Sequence, residues 1–183
     1  MPSHSGSNPC GHLLILRGAT GAGKSTVAAA MLRLRPQIQI IEVDDLKRAA
    51  HGRAAICVPD LDYPKAGNLA RGFLHRGIDT VVVEPLIDRW HLRSIIVGAG
   101  CRPQSRGVSI VWLECSLATA MARKRGRLDP AVVEGHHQPV MLRDRPRGEI
   151  VVDSERSTAE EIAHLLLGVF PMSSTKPDGQ AAR

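Results

Sequence analysis

The chain has 183 residues, a formal net charge of +6 and a hydrophobic share of 43%, so it is long enough to bury one sizeable core. Only 3% of its residues are aromatic, which predicts an aliphatic core and disfavours single-stranded nucleic acid as a ligand, since such binding relies on stacked rings. No run approaches the roughly 18 apolar residues of a membrane helix, and residues 1–9 lack the apolar segment of a signal peptide, so we expect a cytoplasmic protein without membrane contact.

The N-terminal part of the chain predicts a disordered leader, a buried strand and a helix. Residues 1–10 are rich in Ser, Pro and Gly, and residues 12–17 are apolar almost throughout, as in a parallel strand covered on both faces. A helical pattern begins at Lys24 and ends at about Arg35, before Pro36. The glycine-rich turn between strand and helix is the most specific feature of the sequence.

That turn has the spacing of a phosphate-binding P-loop: Gly18, four residues, then Gly23, Lys24 and Ser25. Glycines allow successive backbone N–H groups to point at phosphate oxygens, and the helix dipole adds positive potential there. We expect Lys24 to reach the β- and γ-phosphates of ATP and Ser25 to bind Mg²⁺. The predicted nucleotide-binding residues are Gly18, Ala19, Thr20, Gly21, Ala22, Gly23, Lys24, Ser25 and Thr26.

The next segment predicts a second strand that ends in paired carboxylates. Residues 37–43 are rich in β-branched side chains and lead into Asp44 and Asp45, before a short helical turn over 46–51. A carboxylate at this strand end can accept the proton of an attacking hydroxyl. Asp44 is the predicted base and Asp45 the predicted helix cap, although the two roles could be exchanged.

Residues 52–62 show no periodicity and predict a loop that belongs to the acceptor site. A helix over 63–77 and a strand over 80–83 follow, and Glu84 ends that strand. At this position P-loop enzymes place an acidic residue that holds magnesium or its waters, so Glu84 is a predicted metal partner, with an ordinary solvated carboxylate as the alternative.

The C-terminal half predicts a helix over 88–97, a strand over 108–113 and a helix over 117–125 that is capped by Ser116. The polar, proline-punctuated segment 126–148 predicts a lid. A strand over 149–152 and an amphipathic helix over 158–170 close the domain, and residues 171–183 predict a disordered tail.

Basic residues cluster where the fourth helix meets the predicted lid. Because phosphoryl transfer spreads negative charge over the moving group, an arginine from a lid can stabilise it. Arg123 and Arg127 are the predicted catalytic arginines, since a spacing of four places them on one helical face. Arginines 143, 145 and 147 are further candidates for phosphate or adenine contacts, and His136 and His137 are expected to be surface or acceptor-contacting residues rather than metal ligands.

The alternation of strands and helices predicts one α/β domain over residues 11–170, an open parallel sheet with helices on both faces and a ligand crevice at the carboxyl ends of its strands.

The Gly18 to Thr26 motif, the Asp44-Asp45 strand end, Glu84 and the Arg-Lys-Arg-Gly-Arg run before a lid together resemble small P-loop kinases of the group that includes chloramphenicol phosphotransferase, polynucleotide kinase, zeta toxin and gluconate kinase. The resemblance implies a three-layer sandwich with a five-stranded parallel sheet of order 2-3-1-4-5. It also implies Asp44 as the base and lid arginines, here Arg123 and Arg127, as phosphate ligands. The Asp-any-Asp signature of shikimate kinase and the Asp-any-Gly of nucleoside monophosphate kinases are missing.

Three functions are compatible with these features. The first is an ATP- and Mg²⁺-dependent kinase that acts on a hydroxyl of a small molecule such as an antibiotic or a metabolite. The second is a polynucleotide or nucleotide-type kinase, which the positive charge favours. The third is a nucleotide-dependent switch without transferase activity, since a P-loop binds nucleotide whether or not transfer follows. The acceptor and the oligomeric state stay open.

Overall fold

A computed structural model describes residues 11–51, 59–84, 89–102, 105, 107–135, 137 and 148–170. The predicted leader and tail lie outside these residues, as does most of the second half of the predicted lid. Five strands are described: β1 Leu13–Gly18, β2 Gln39–Glu42, β3 Thr80–Glu84, β4 Val108–Glu114 and β5 Ile150–Asp153. The helices are α1 Lys24–Leu34, α2 Val43–His51, α3 Pro59–Leu74, α4 Arg89–Gly98, α5 Leu117–Lys124, α6 Pro130–Gly135 and α7 Ala159–Leu167.

The strands form one all-parallel sheet in the order β2-β3-β1-β4-β5, which confirms the predicted topology. The register aligns the carboxyl ends of the central strands, with Arg17 of β1 opposite Glu84 of β3 and Trp112 of β4. Glu42, the last residue of β2, lies opposite Val83. All residues that end these strands therefore lie at one edge of the sheet.

Two hydrophobic cores cover the two faces of the sheet, because side chains alternate along each strand. Leu14, Leu16 and Val81 pack on one face with residues of α1 and α7. Leu13 and Ile15 pack on the other face with residues of α3 and α4. The aliphatic core predicted from composition is thus split into two layers by the sheet.

Helices α3 and α4 cross closely at two glycines. A Cβ added to Gly67 would lie 2.5 Å from the carbonyl oxygen of Ile95 and 2.9 Å from the Cα of Gly98. Any larger residue at Gly67 would push the two helix backbones apart.

Within the described residues, no helix combines the length and apolar character needed to cross a bilayer.

A buried ion pair ties β1 to the start of β5. The Nη1 of Arg17 donates to the Oε1 of Glu149 at 3.2 Å, and the two side chains are only 1% and 2% exposed. The Arg17 guanidinium also lies 5.2 Å from the centre of the Trp112 ring. The attraction between the two buried charges offsets part of the cost of removing them from water.

Three predicted boundaries are wrong in informative ways. Residues 43–45 begin α2 rather than ending β2, because the first turn of a helix accepts both the β-branched Val43 and acidic residues. Residues 59–62 are helical rather than loop, since a proline such as Pro59 fits the first helical position, where its missing N–H costs nothing. Helix α5 ends at Lys124, so Arg127 lies in the turn beyond it.

Candidate active site

The glycine-rich loop joins β1 to α1 and contains glycines that no other residue could replace without backbone strain. Gly21 and Gly23 have φ angles of 88° and 92°, in the left-handed region. A Cβ at Gly21 would also lie 2.8 Å from the Cβ of Ala120 on α5. The loop is therefore compact and packed against α5, with the start of α1 at its end.

Lys24 lies back across its own loop. Its Nζ donates to the carbonyl oxygens of Gly18 at 2.7 Å and Ala19 at 3.0 Å. Burial lowers the pKa of Lys24 to about 8, against the attraction of Glu84 and Asp44, which raises it. The predicted contact of this ammonium with the phosphates of a nucleotide stays a prediction.

Ser25 has a partner that the sequence did not predict. Its Oγ donates to the Oε2 of Glu42 at 3.1 Å, and burial raises the pKa of that carboxyl. A hydroxyl and a carboxylate are oxygen donors of the kind that Mg²⁺ prefers, so this pair fits a magnesium ion. Glu42 is the last residue of β2, and its position at a strand end was the signal that could have identified it.

Of the two predicted base candidates, the structure brings Asp44 to the loop. Asp44 lies in the first turn of α2, lines the same cavity as Lys24 and Ser25, and has a side chain that is 53% exposed. Asp45 instead forms an exposed ion pair with Arg48 on its own helix. The geometry therefore favours Asp44 over Asp45 as the residue that meets a substrate.

Glu84 is buried on the face of the sheet that α3 covers, with 1% of its surface exposed. Its Oε1 accepts from the Nζ of Lys47 at 3.3 Å and from the hydroxyl of Tyr63 at 3.2 Å. Burial raises the pKa of Glu84 to about 7, and attraction from Lys47 opposes that rise. The predicted metal role of Glu84 stays a prediction, and neither Lys47 nor Tyr63 was singled out from the sequence.

The two predicted catalytic arginines lie at the cavity but not on one helical face. Arg123, on α5, donates from Nη1 to the carbonyl oxygen of Gly21 at 3.2 Å and from Nη2 to that of Ser154 at 2.8 Å. It links the glycine-rich loop to the segment after β5. Arg127 lies beyond the end of α5 and lines the cavity.

Only part of the predicted lid belongs to the described chain. Helix α6 lies in this segment, and the Nε2 of His137 lies 3.2 Å from the carbonyl oxygen of Thr20, to which it can donate. His137 is thus in contact with the glycine-rich loop. His136 and arginines 143, 145 and 147 lie outside the described residues.

A cavity of about 750 Å³ joins these groups at the carboxyl edge of the sheet. Among the described residues that line it, five are basic and two are acidic: Lys24, Arg48, Arg123, Lys124 and Arg127 against Glu42 and Asp44. A cleft with this balance attracts a polyanion. Its two acidic residues come from β2 and the first turn of α2.

Comparison with known proteins agrees with this architecture. Residues 13–141 match a family model described as an AAA domain, and no curated protein matches the chain. A sugar kinase from Janibacter sp. HTCC2649 superposes with a TM-score of 0.65 and 18% identity over 86% of this chain and 93% of its own.

Two further structures have similar scores. The APS kinase CysC of Mycobacterium tuberculosis, in complex with AMPPNP and APS, gives a TM-score of 0.66 and 19% identity over 88% of this chain and 98% of its own. The Deinococcus radiodurans tunicamycin resistance protein gives a TM-score of 0.64 and 14% identity over 86% of this chain and 94% of its own. At these identities the likeness shows a shared fold.

Proposed function

Since this chain belongs to the AAA domain family and has the fold of P-loop kinases, we propose that it transfers the γ-phosphate of ATP to a hydroxyl of a small molecule, with Asp44 as the base and Mg²⁺ as the metal. The observation that carries this proposal is that residues of the glycine-rich loop and Asp44 line the same cavity. A protein that only binds nucleotide would not need a candidate base and arginines at the same cavity, here Asp44 with Arg123 and Arg127.

The donor half of the cavity is formed by the glycine-rich loop, Arg123 and Arg127. Lys24 and the backbone of the loop bind the β- and γ-phosphates. Ser25 and Glu42 would hold Mg²⁺, which would neutralise charge on those phosphates. Arg127 faces the same cavity and meets the charge that develops on the transferred group. Arg123 orders the loop through Gly21 and Ser154.

The acceptor half is the side of β2 and α2. There the acceptor oxygen attacks the γ-phosphorus, the bond from that phosphorus to the β–γ bridging oxygen breaks, and ADP leaves. The hydroxyl proton moves to the carboxylate of Asp44, which is exposed enough to reach a bound acceptor. A sugar kinase and an APS kinase among the structural neighbours support a small hydroxyl compound as acceptor.

A screen with γ-labelled ATP tests the proposal. Sugars, amino alcohols and hydroxyl-bearing antibiotics are incubated with the protein, labelled ATP and Mg²⁺, beside a control without acceptor. Label in a compound above the hydrolysis seen in the control supports transfer. A protein that binds ATP but labels no hydroxyl compound beyond that control would contradict it in favour of the switch.

A further inference from the structure

We propose that Lys47 is a positioning residue for Asp44, which it ties to a buried Glu84–Tyr63 pair so that the carboxylate stays turned toward the phosphate cradle. This inference rests on the proposed function, because it assigns a role within the same site. It concerns a residue to which the sequence alone assigned no role.

The Lys47 ammonium lies between three oxygen atoms. Its Nζ is 3.3 Å from the Oε1 of Glu84, 3.4 Å from the hydroxyl of Tyr63 and 3.8 Å from the Oδ1 of Asp44. The ammonium donates hydrogen bonds to Glu84 and Tyr63, and it lies within ion-pair distance of the Asp44 carboxylate, although 3.8 Å is too long for a hydrogen bond. Asp44 and Lys47 are three residues apart on α2 and therefore lie on the same side of that helix.

The other end of this link is fixed by several elements. Glu84 belongs to β3 and Tyr63 to α3, and both are buried. The Tyr63 hydroxyl donates to Glu84 at 3.2 Å, and its ring lies 4.1 Å from the ring of His91 on α4. The Lys47 ammonium also lies 5.0 Å from the centre of the Tyr63 ring. Lys47 itself is only 19% exposed, so the link has few alternative conformations.

Asp44 needs such a link because its own side chain is 53% exposed. A carboxylate in water samples several rotamers, whereas proton transfer requires the reacting atoms to be held at near-contact distance. The ion pair involves one carboxylate oxygen, Oδ1, and leaves the base its second oxygen for the acceptor hydroxyl. Removing the link should therefore lower the turnover number without weakening the binding of ATP or of the acceptor.

The test compares Lys47→Met and Lys47→Arg with Lys65→Met, a matched loss of an exposed lysine on the neighbouring helix α3. We expect Lys47→Met to lower kcat about 10-fold to 100-fold, with KM for ATP and for the acceptor changed less than about 2-fold. Lys47→Arg should recover part of the loss, and Lys65→Met should match the wild type. A rise in KM for the acceptor at unchanged kcat would overturn the proposal and make Lys47 an acceptor ligand.

A double-mutant cycle separates positioning from an independent effect. If Lys47 acts through Asp44, then Lys47→Met should cost almost nothing in kcat once Asp44 is already Asn. An equal loss in both backgrounds would overturn the proposal. Because Lys47→Met leaves Glu84 buried without its cation, the variant carrying both Lys47→Met and Glu84→Gln keeps the shapes and removes both charges. If the Lys47→Met protein does not fold, this double variant should show the loss of turnover that we expect for Lys47→Met.

A crystal structure of the Lys47→Met protein gives a readout that needs no acceptor. The Asp44 carboxylate should leave the position it has in the wild type or lose its order. An Asp44 that keeps its wild-type conformation would overturn the positioning role. Failure of every acceptor to become labelled by the wild-type protein would instead count against the proposed function, and the two failures are therefore distinguishable.

Discussion

Lys24 links nucleotide binding to pH at the scale of one residue. Burial lowers its pKa to about 8, so in the free protein it becomes neutral as the pH rises beyond that value. Phosphates favour the charged ammonium, and ATP binding should therefore take up a proton at about pH 9 and weaken as the pH rises. Calorimetry in two buffers of different ionisation enthalpy measures this uptake.

The matched control for that measurement is Lys24→Met, which has no ammonium to protonate. It should bind ATP more weakly and show no proton uptake assignable to this position. If the wild type and the variant show the same uptake, the ammonium of Lys24 does not meet the phosphates.

Glu84 makes a prediction about stability. Its pKa in the folded protein is raised to about 7, above the ordinary 4.5, because it is buried. Between those values the folded state binds more protons than the unfolded chain, so the free energy of unfolding falls as the pH rises across this window. Because each unit of pKa shift corresponds to about 1.4 kcal/mol, the free energy of unfolding falls by on the order of 3 kcal/mol, and the fall is complete above about pH 7.

Urea denaturation of the wild type and of Glu84→Gln at about pH 5 and pH 8 checks this expectation. Glutamine does not titrate, so the stability of the variant should change less over the same interval. Parallel pH dependences in the two proteins would show that Glu84 titrates normally in the fold.

At the scale of elements, the crossing of α3 and α4 depends on Gly67. Gly67→Ala places a Cβ 2.5 Å from a backbone carbonyl and should lower the free energy of unfolding by about 1–3 kcal/mol. Gly72 lies on the same helix, and a Cβ there meets nothing within 4 Å. Gly72→Ala should therefore raise stability by up to about 1 kcal/mol through helix propensity. Equal effects of the two substitutions in urea denaturation would contradict this packing.

The elements that the sequence predicted best are those with a single physical cause. The strands β1, β3 and β4 are mostly apolar, and the phosphate loop is specified by glycines and a lysine at fixed spacing. The start of α3 was missed because residues 52–62 show no clear periodicity, although a proline such as Pro59 is favoured at the first position of a helix.

The site was only partly readable for a different reason. Asp44 could be predicted to face the crevice because it follows a strand end, and Arg127 because it belongs to the basic run before the predicted lid. The contact of Ser25 with Glu42 and the contacts of Lys47 with Glu84 and Tyr63 join residues far apart in the chain. Such pairings depend on the register of β2 and β3 and on the packing of α3, which no local pattern encodes.

At the scale of the whole molecule, the net charge of +6 bears on the alternative acceptor. Nucleic acid that neutralises several phosphates would bind with a steep dependence on salt. For a small-molecule kinase we expect a labelled 5′-hydroxyl oligonucleotide to bind with a Kd weaker than about 100 µM in fluorescence anisotropy, even at low salt. Tight binding that falls steeply as salt rises would favour a polynucleotide kinase instead.

Phosphoryl transfer through Asp44 is the central claim, and it is tested most directly by comparing the wild type with Asp44→Asn at equal occupancy by ATP. With the best acceptor from the screen, the label transferred per minute should fall at least about 100-fold in the variant, because the base is lost, while ATP affinity stays within about 2-fold. Unchanged transfer in the variant would contradict the assignment of Asp44.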